Sequence, residues 1–431
     1  MIDIMENKSV IPYGRQHITQ KDLDAVVRVL QSDYLTQGPE IATFEQAFAS
    51  YVGSRFAVAV SNGTAALHLC ALALDVKSGD KVLTTPITFA ASGNCIRYCG
   101  GELDFVDIEP DTYLIDIASL RKKLESVPKG TYRGVVPVDF AGRAVNLEEV
   151  RKLADEFGLW IIEDACHAPG GFFIDSKENK QLCGNGVFAD LAIFSFHPVK
   201  HIAAGEGGMI TTNNEALYER LLRLRTHGIT KNVNDFTLDV NFAAGHDAEH
   251  MELQKSAPSI GAPHAHETEL ANKNSINAYP GWYMEMQELG YNYRLTDFQA
   301  ALGHSQLEEA DDRLSRRRQI AERYAQAFYG KPFILGQSDH IEGHAYHLYI
   351  IETPRRLELY NYLRTKGIYA QVHYIPLHLM PYYRQFGWKS GDMPSSESYY
   401  RKCLSLPMYP TLSDDQQHFV IKTIEEFFEQ D

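Results

Sequence analysis

The chain has 431 residues, 44% of them hydrophobic and 23% charged, which suits a globular protein large enough for more than one domain. A formal net charge of −15 argues against a general nucleic-acid or membrane-surface binder, although a local ring of amides can still hold a small anion. There is no signal-like N-terminus and no apolar run of about 18 residues. The 6 cysteines follow neither a metal nor a disulfide spacing, so a reduced, cytoplasmic protein is expected.

Residues 11–16 read as an extended lead-in. Thr19 caps a helix with Leu23, Val26, Val27 and Leu30 at helical spacing. Ser32-Asp33-Tyr34-Leu35-Thr36-Gln37-Gly38-Pro39 is a polar, turn-rich segment, either a connector or the lining of a site. Phe56 to Val60 is a short strand that turns into a small-residue helix at Ser61-Asn62-Gly63-Thr64. A helix start exposes free amides, Gly63 lets an anion approach the backbone, and Thr64 adds a hydroxyl. Neither the dinucleotide fingerprint nor the phosphate-loop lysine pattern is present.

Val82 to Thr85 is the next strand, with a helix expected from Pro86. Phe89 at this mouth either plugs the core or stacks on a planar ligand. Leu103 to Val106 and Gly134 to Val138 continue the strand–helix alternation. Leu159 to Ile162 form a buried strand ending in Glu163-Asp164, with His167 three residues on. An acid at such a strand end lies where open α/β sheets place ligands, so Asp164 either caps a following helix or holds a protonated ring nitrogen. Leu191 to Phe196 is another buried strand, ending near Ser195 and followed by His197-Pro198-Val199-Lys200 and a Gly-rich turn into Gly208 to Thr212. A lysine delivered at the end of a core strand is favoured in its neutral, nucleophilic form, which forms Schiff bases with carbonyls.

The βα run ends near Gly228. The stretch from about Thr230 to Pro280 carries His246, His250, His264 and His266 but no zinc spacing, and reads as a solvated loop rather than a metal site. Thr296 caps a long helix, and Glu308 to Arg318 bridges to a second domain. That domain contains a strand at 347–351, a helix at 356–366, a polar strand end Gln371-Val372-His373-Tyr374 and a terminal helix from Ser413. A large domain over 1–310, with an irregular insertion at about 230–280, and a small α+β domain over 311–431 are expected.

Gly63, Thr64, Phe89, Asp164, His167, Ser195 and Lys200 each fall at or near an expected strand end. Together they are parts for one planar, phosphorylated, ring-nitrogen cofactor, with amides and Ser195 for phosphate, Phe89 for the ring face, Asp164 for the nitrogen and Lys200 for an aldehyde.

With these motifs the chain resembles the fold-type I pyridoxal-phosphate aminotransferases of nucleotide-linked keto-sugars, the DegT/DnrJ/EryC1/StrS family, over nearly its whole length apart from 230–280. The motifs are residues 32–39, Ser61 to Leu67, Glu163 to Ala168 and Gly290 to Asp297. Ser195 to Lys200, Glu206 to Gly208 and Gln371 to Tyr374 are similar to one branch, which aminates C4 of a UDP-linked 4-keto-6-deoxy sugar in pseudaminic acid synthesis.

The resemblance implies a mainly parallel seven-stranded sheet flanked by helices and pyridoxal 5'-phosphate as cofactor, with pyridoxamine 5'-phosphate as its aminated form. It implies glutamate as amino donor and a homodimer with shared sites, without metal, nucleic acid or membrane. Lys200 would bind the cofactor covalently, Asp164 would pair with its pyridinium and His167 would sit near O3'. Phe89 would stack on the ring; Gly63, Thr64 and Ser195 would hold phosphate, with Asn292 supplied by the partner. Tyr13, Asp33, Tyr34, Leu35, Thr36, Gln371, Val372, His373 and Tyr374 would face the nucleotide-sugar. Ala203-Ala204 stands where this branch often carries two threonines. The rival readings are an aminotransferase for another nucleotide-linked keto-sugar, acting at C3 or with another nucleotide, a pyridoxamine-dependent sugar dehydratase, and a non-catalytic regulatory relative. Lys200 argues against the dehydratase, in which histidine usually replaces that lysine.

Overall fold

The computed structural model describes residues 10–245, 279–334 and 341–429. They fall into two compact units, one joining the chain up to Leu221 with Tyr293 onward, the other Leu222–Asn292. The boundary expected near residue 310 lies between helices Asp297–Glu308 and Ala310–Phe328, and both flanks belong to the first unit.

The first unit is built on seven strands: β1 (Phe56–Val60), β2 (Lys81–Thr84), β3 (Glu102–Phe105), β4 (Tyr132–Val136), β5 (Trp160–Asp164), β6 (Leu191–Ser195) and β7 (Gly208–Thr212). Their spatial order is β1-β7-β6-β5-β4-β2-β3. β7 runs antiparallel to both neighbours, with Gly208 opposite Val60 and Ser195, and the remaining pairs are parallel. This is the mainly parallel α/β sheet expected. Parallel strands are covered on both faces, which is why β6 is apolar at Leu191, Ile193 and Phe194, all fully buried.

One core cluster includes Leu83, Val135, Val150, Leu153 and Ile161. A second includes Phe44, Phe48, Phe194, Phe196 and Met209. The C-terminal part adds an α+β layer in which Tyr349–Glu352 pairs antiparallel with Cys403–Leu406. The lead-in strand Ile11–Pro12 pairs with Ile368–Tyr369 and packs into that layer's own core with Tyr324, Leu363 and Ile424.

Two local expectations shift. The helix expected from Pro86 begins at Ala91. The residues before it form a turn in which the Thr88 and Ser92 hydroxyls meet at 2.7 Å and the Ser92 backbone N–H donates to the Phe89 carbonyl at 3.2 Å. Thr296 is the N-cap of its helix, yet its hydroxyl donates to Gln299 at 2.7 Å instead of accepting a backbone N–H. Thr19, in contrast, forms a full capping box with Asp22.

In the second unit Ile229–Thr230 pairs with Glu285–Met286. The Glu285 carboxylate accepts N–H groups of Thr237 and Leu238 and the Tyr283 hydroxyl. Of the insertion, His246, His250, His264 and His266 lie outside the described residues. No helix among the described residues is long and apolar enough to cross a membrane.

Candidate active site

The C-terminal ends of β1, β5 and β6 open on a cavity of about 710 Å³. It brings together Gly63, Thr64, Phe89, Asp164, His167, Ser195 and Lys200, joined by Tyr13, His373 and Tyr374 of the predicted substrate set. Brought together from seven segments, these residues form one site where a parallel sheet places its ligands.

One end is an anion cradle. Asn62 caps helix Gly63–Ala73, its side chain taking the Ala65 N–H at 2.8 Å and its carbonyl the Ala66 N–H at 3.1 Å. The Gly63 and Thr64 amides, the first two of the helix, are left for a ligand. Ser195 lies directly opposite: a Cβ on Gly63 would stand 3.0 Å from Ser195 Cβ and 3.3 Å from Ser195 Oγ. The backbone there is open because the residue is glycine, which fits a phosphate bound by amides and hydroxyls.

The other end holds the acid. Asp164 is 5% exposed, and accepts Ser92 Oγ at 2.6 Å and the Cys166 N–H at 3.2 Å. No helix starts after β5; the chain turns through Ala165–Ala168 and enters the hairpin Phe172–Ile174 with Lys180–Leu182, so Asp164 is not a helix cap. Its carboxylate is oriented by two donors beside the cavity, an arrangement suited to a cationic ring N–H.

Lys200 is half-buried at the mouth of β6, and burial pushes its ammonium below the ordinary range, partly opposed by Cys166 and Asp164. That favours the neutral amine. His167 accepts the Ala141 N–H at Nδ1 and meets the Tyr374 hydroxyl through Nε2 at 3.3 Å. Burial, then the Lys200 charge, hold it well below the usual imidazole range, so it is neutral. His373 is pushed down to about 3 by burial and by Lys200. Phe89 is 61% exposed, with its ring 6.2 Å from that of Tyr374, so it serves as a wall of the cavity and not as a core plug.

Several predicted residues lie elsewhere. Asp33, Tyr34, Leu35 and Thr36 do not line this cavity; Tyr34 and Leu35 are exposed and Thr36 bridges Thr296. Gln371 pairs with Ser405, and Val372 packs against two core clusters. Asn292 belongs to the second unit, where it bridges Thr226. Sequence reasoning missed Ser92, Asn62, Tyr293 and His347. Asn62 was readable as a side-chain cap one residue before a helix start, and Tyr293 lies within the 290–297 motif; Ser92 and His347 carried no local signal.

The model of the DegT/DnrJ/EryC1/StrS aminotransferase family matches residues 16–425. The chain is 33% identical to the spore coat polysaccharide biosynthesis protein SpsC of Bacillus subtilis, covering 98% of both. It is 31% identical to the UDP-4-amino-4,6-dideoxy-N-acetyl-beta-L-altrosamine transaminase of Campylobacter jejuni serotype O:2, covering 96% of both. Among solved structures it superposes on Helicobacter pylori PseC, an aminotransferase involved in the biosynthesis of pseudoaminic acid, with a TM-score of 0.80, 26% identity and coverage of 98% and 100%. The PLP-form of Streptococcus pneumoniae Spr1654, described as a sugar aminotransferase, gives 0.79 at 25% identity over 98% and 99%. The cavity and these matches agree on pyridoxal phosphate as cofactor, and the chain belongs to the DegT/DnrJ/EryC1/StrS family as a pyridoxal-phosphate-dependent sugar aminotransferase.

Proposed function

We propose that the chain transfers the amino group of L-glutamate to C4 of UDP-2-acetamido-2,6-dideoxy-β-L-arabino-hex-4-ulose, giving the 4-amino sugar used in pseudaminic acid synthesis. The observation that carries the reaction is Lys200 and Asp164 lining one cavity that also holds the Gly63–Ser195 cradle. The sugar assignment is supported by the names of the Campylobacter and Helicobacter relatives.

Bound there, pyridoxal phosphate supplies an aldehyde for the amine and a ring that accepts electrons. The Gly63 and Thr64 amides and the Ser195 hydroxyl would hold its phosphate, Phe89 would cover a ring face, His167 would face O3', and Asp164 would keep the ring nitrogen protonated. Lys200, whose burial favours the neutral amine, would hold the cofactor through its aldehyde carbon, with loss of water. Freed by the donor, its Nζ would take the proton from the donor Cα and give it to the cofactor carbon on the far side of the bridging nitrogen, acting as base and then acid. At the sugar the same amine runs these proton movements in reverse.

Tyr13, His373 and Tyr374 would contact the nucleotide-sugar from the cavity wall, aided by Asp33, Tyr34, Leu35, Thr36, Gln371 and Val372. A two-fold dimer would complete each site with the partner subunit's Asn292.

The test is product NMR after incubating the loaded enzyme with glutamate and a panel of UDP- and other nucleotide-linked 3-keto and 4-keto sugars. Amination at C4 of the UDP-linked sugar supports the assignment. Preference for another sugar, which the 33% identity to the spore-coat protein keeps in view, replaces the substrate but leaves the chemistry standing.

A further inference from the structure

Beside Lys200 lies a cluster of tilted imidazoles, one of which, His167, also lines the cavity, that the proposed function leaves partly unused. His347 Nε2 is 3.5 Å from Lys200 Nζ. The His347 ring is 4.3 Å from that of His167 and 5.8 Å from that of His201. All three side chains are buried, at 4%, 4% and 6% exposure for His347, His167 and His201. His201 donates to the Ala345 carbonyl at 2.8 Å and His167 accepts the Ala141 N–H, so hydrogen bonds to the backbone orient both rings.

His347 differs. Like that of His201, its Nδ1 has no partner among the described residues, but its one ring hydrogen bond there goes to the Lys200 side chain and not to the backbone. The backbone at this point is anchored separately, by the Arg317 guanidinium donating to the carbonyls of Tyr346, His347 and Met408. Burial, then the charges of Lys200, His167, His201 and Arg317, hold the imidazole neutral. A lysine nitrogen has N–H groups to donate whether or not it is protonated, while a neutral imidazole has one bare nitrogen to accept. With Nε2 as acceptor, the His347 proton sits on Nδ1, a buried donor without a partner.

We propose that His347 is a positioning residue for Lys200: its Nε2 accepts one N–H of the lysine and so directs the amine's lone pair into the cavity, toward the carbon whose proton is moved. The inference rests on Lys200 being the proton-carrying amine. An amine held by one N–H sweeps fewer orientations than a free four-carbon side chain, and misaimed groups cost rate steeply.

Two variants test it, His347→Leu and His347→Gln, the second restoring a hydrogen-bonding group. On apoprotein, the pH midpoint for covalent capture of pyridoxal phosphate at Lys200 is read by borohydride reduction and peptide mass. On loaded enzyme, the rate of a single turnover with glutamate is read against glutamate concentration. Asp164, Cys166, His167, His201, Arg317, His373 and Tyr374, the titratable groups packed around the pair, are present in both variants.

His347→Leu is expected to capture the cofactor fully but with its midpoint moved to lower pH, because an acceptor favours the ammonium. Its turnover should fall about tenfold or more at unchanged glutamate affinity, and His347→Gln should recover most of both. An unmoved midpoint in the leucine variant, or a glutamine variant no better than leucine, overturns the proposal. If wild-type Lys200 itself captures nothing, the assigned function fails instead, so the two outcomes are distinguishable.

Discussion

Ser92 Oγ donates a 2.6 Å hydrogen bond to Asp164 Oδ2 across 72 residues of chain. The serine, 0% exposed, starts a helix behind Phe89 and delivers its hydroxyl to the acid that ends β5. Hydrogen bonds to charged groups are worth roughly 1.5–3 kcal/mol. Ser92→Ala should therefore leave Asp164 less firmly aimed, with pyridoxal phosphate affinity and turnover each falling about tenfold. Fluorescence titration of the apoprotein reads the affinity, and an unchanged dissociation constant would remove Ser92 from the site.

Gly63 offers a sharper probe of the phosphate cradle. Because an added Cβ would stand 3.0 Å from Ser195 Cβ, Gly63→Ala must push apart the two walls that hold the anion. Affinity for pyridoxal phosphate should drop about tenfold or more through the lost amide contacts, while affinity for unphosphorylated pyridoxal should barely change. Parallel titrations with the two compounds decide it; equal losses would place the phosphate elsewhere.

A buried acid pair beneath the site should make stability fall with pH. Asp139 and Glu163 are 1% and 2% exposed, and their carboxylate oxygens and the Cys183 sulfur lie within 4.8 Å of one another. Burial, then mutual repulsion in the case of Glu163, push both carboxyls up. A carboxyl whose native pKa is raised keeps a proton that the unfolded chain has released. Its contribution is thus full below about pH 4, the unfolded value, and is lost as pH rises through the native one. Urea unfolding should show wild type losing stability between mildly acidic and alkaline pH more steeply than Asp139→Asn, whose amide cannot ionise. Parallel slopes would contradict a shared proton.

Asp297 caps a helix that is remote in sequence. Its Oδ2 accepts the Gly38 N–H at 2.8 Å and its Oδ1 the Glu40 N–H at 3.1 Å, serving helix Pro39–Val52, whose own N-cap is a glycine without a side chain. Asp297→Ala should destabilise the protein by about 1–2 kcal/mol. Chemical denaturation would register this as a lower midpoint at constant slope, whereas a loss below about 0.5 kcal/mol would mean solvent replaces the cap.

Much of this site could be read before any tertiary contact was known. Apolar runs such as Leu191 to Phe196 and Leu159 to Ile162 announce buried parallel strands, and the residues that end them are where the ligand belongs. That logic put Asp164, Ser195 and Lys200 at strand ends, and only their joint occurrence with the Ser61–Leu67 stretch pointed to one site. For Phe89 and Asp164 local chemistry allowed two roles each; exposure of the first excludes a core plug and the turn after the second excludes a helix cap.

The sequence by itself determined most of the sheet strands and the polar groups at their ends, because periodicity and breakers act over a few neighbouring residues, while the hairpin at 172–182 and the start of the helix at Ala91 were not legible in it. Tertiary structure alone decided that Ser92 meets Asp164, that His347 meets Lys200 and that Asp297 meets Gly38, pairs separated by 72, 147 and 259 residues. The physical reason is that these meetings depend on the order in which strands and helices pack. That order is set by burial summed over the whole molecule, and no single stretch of the chain carries it.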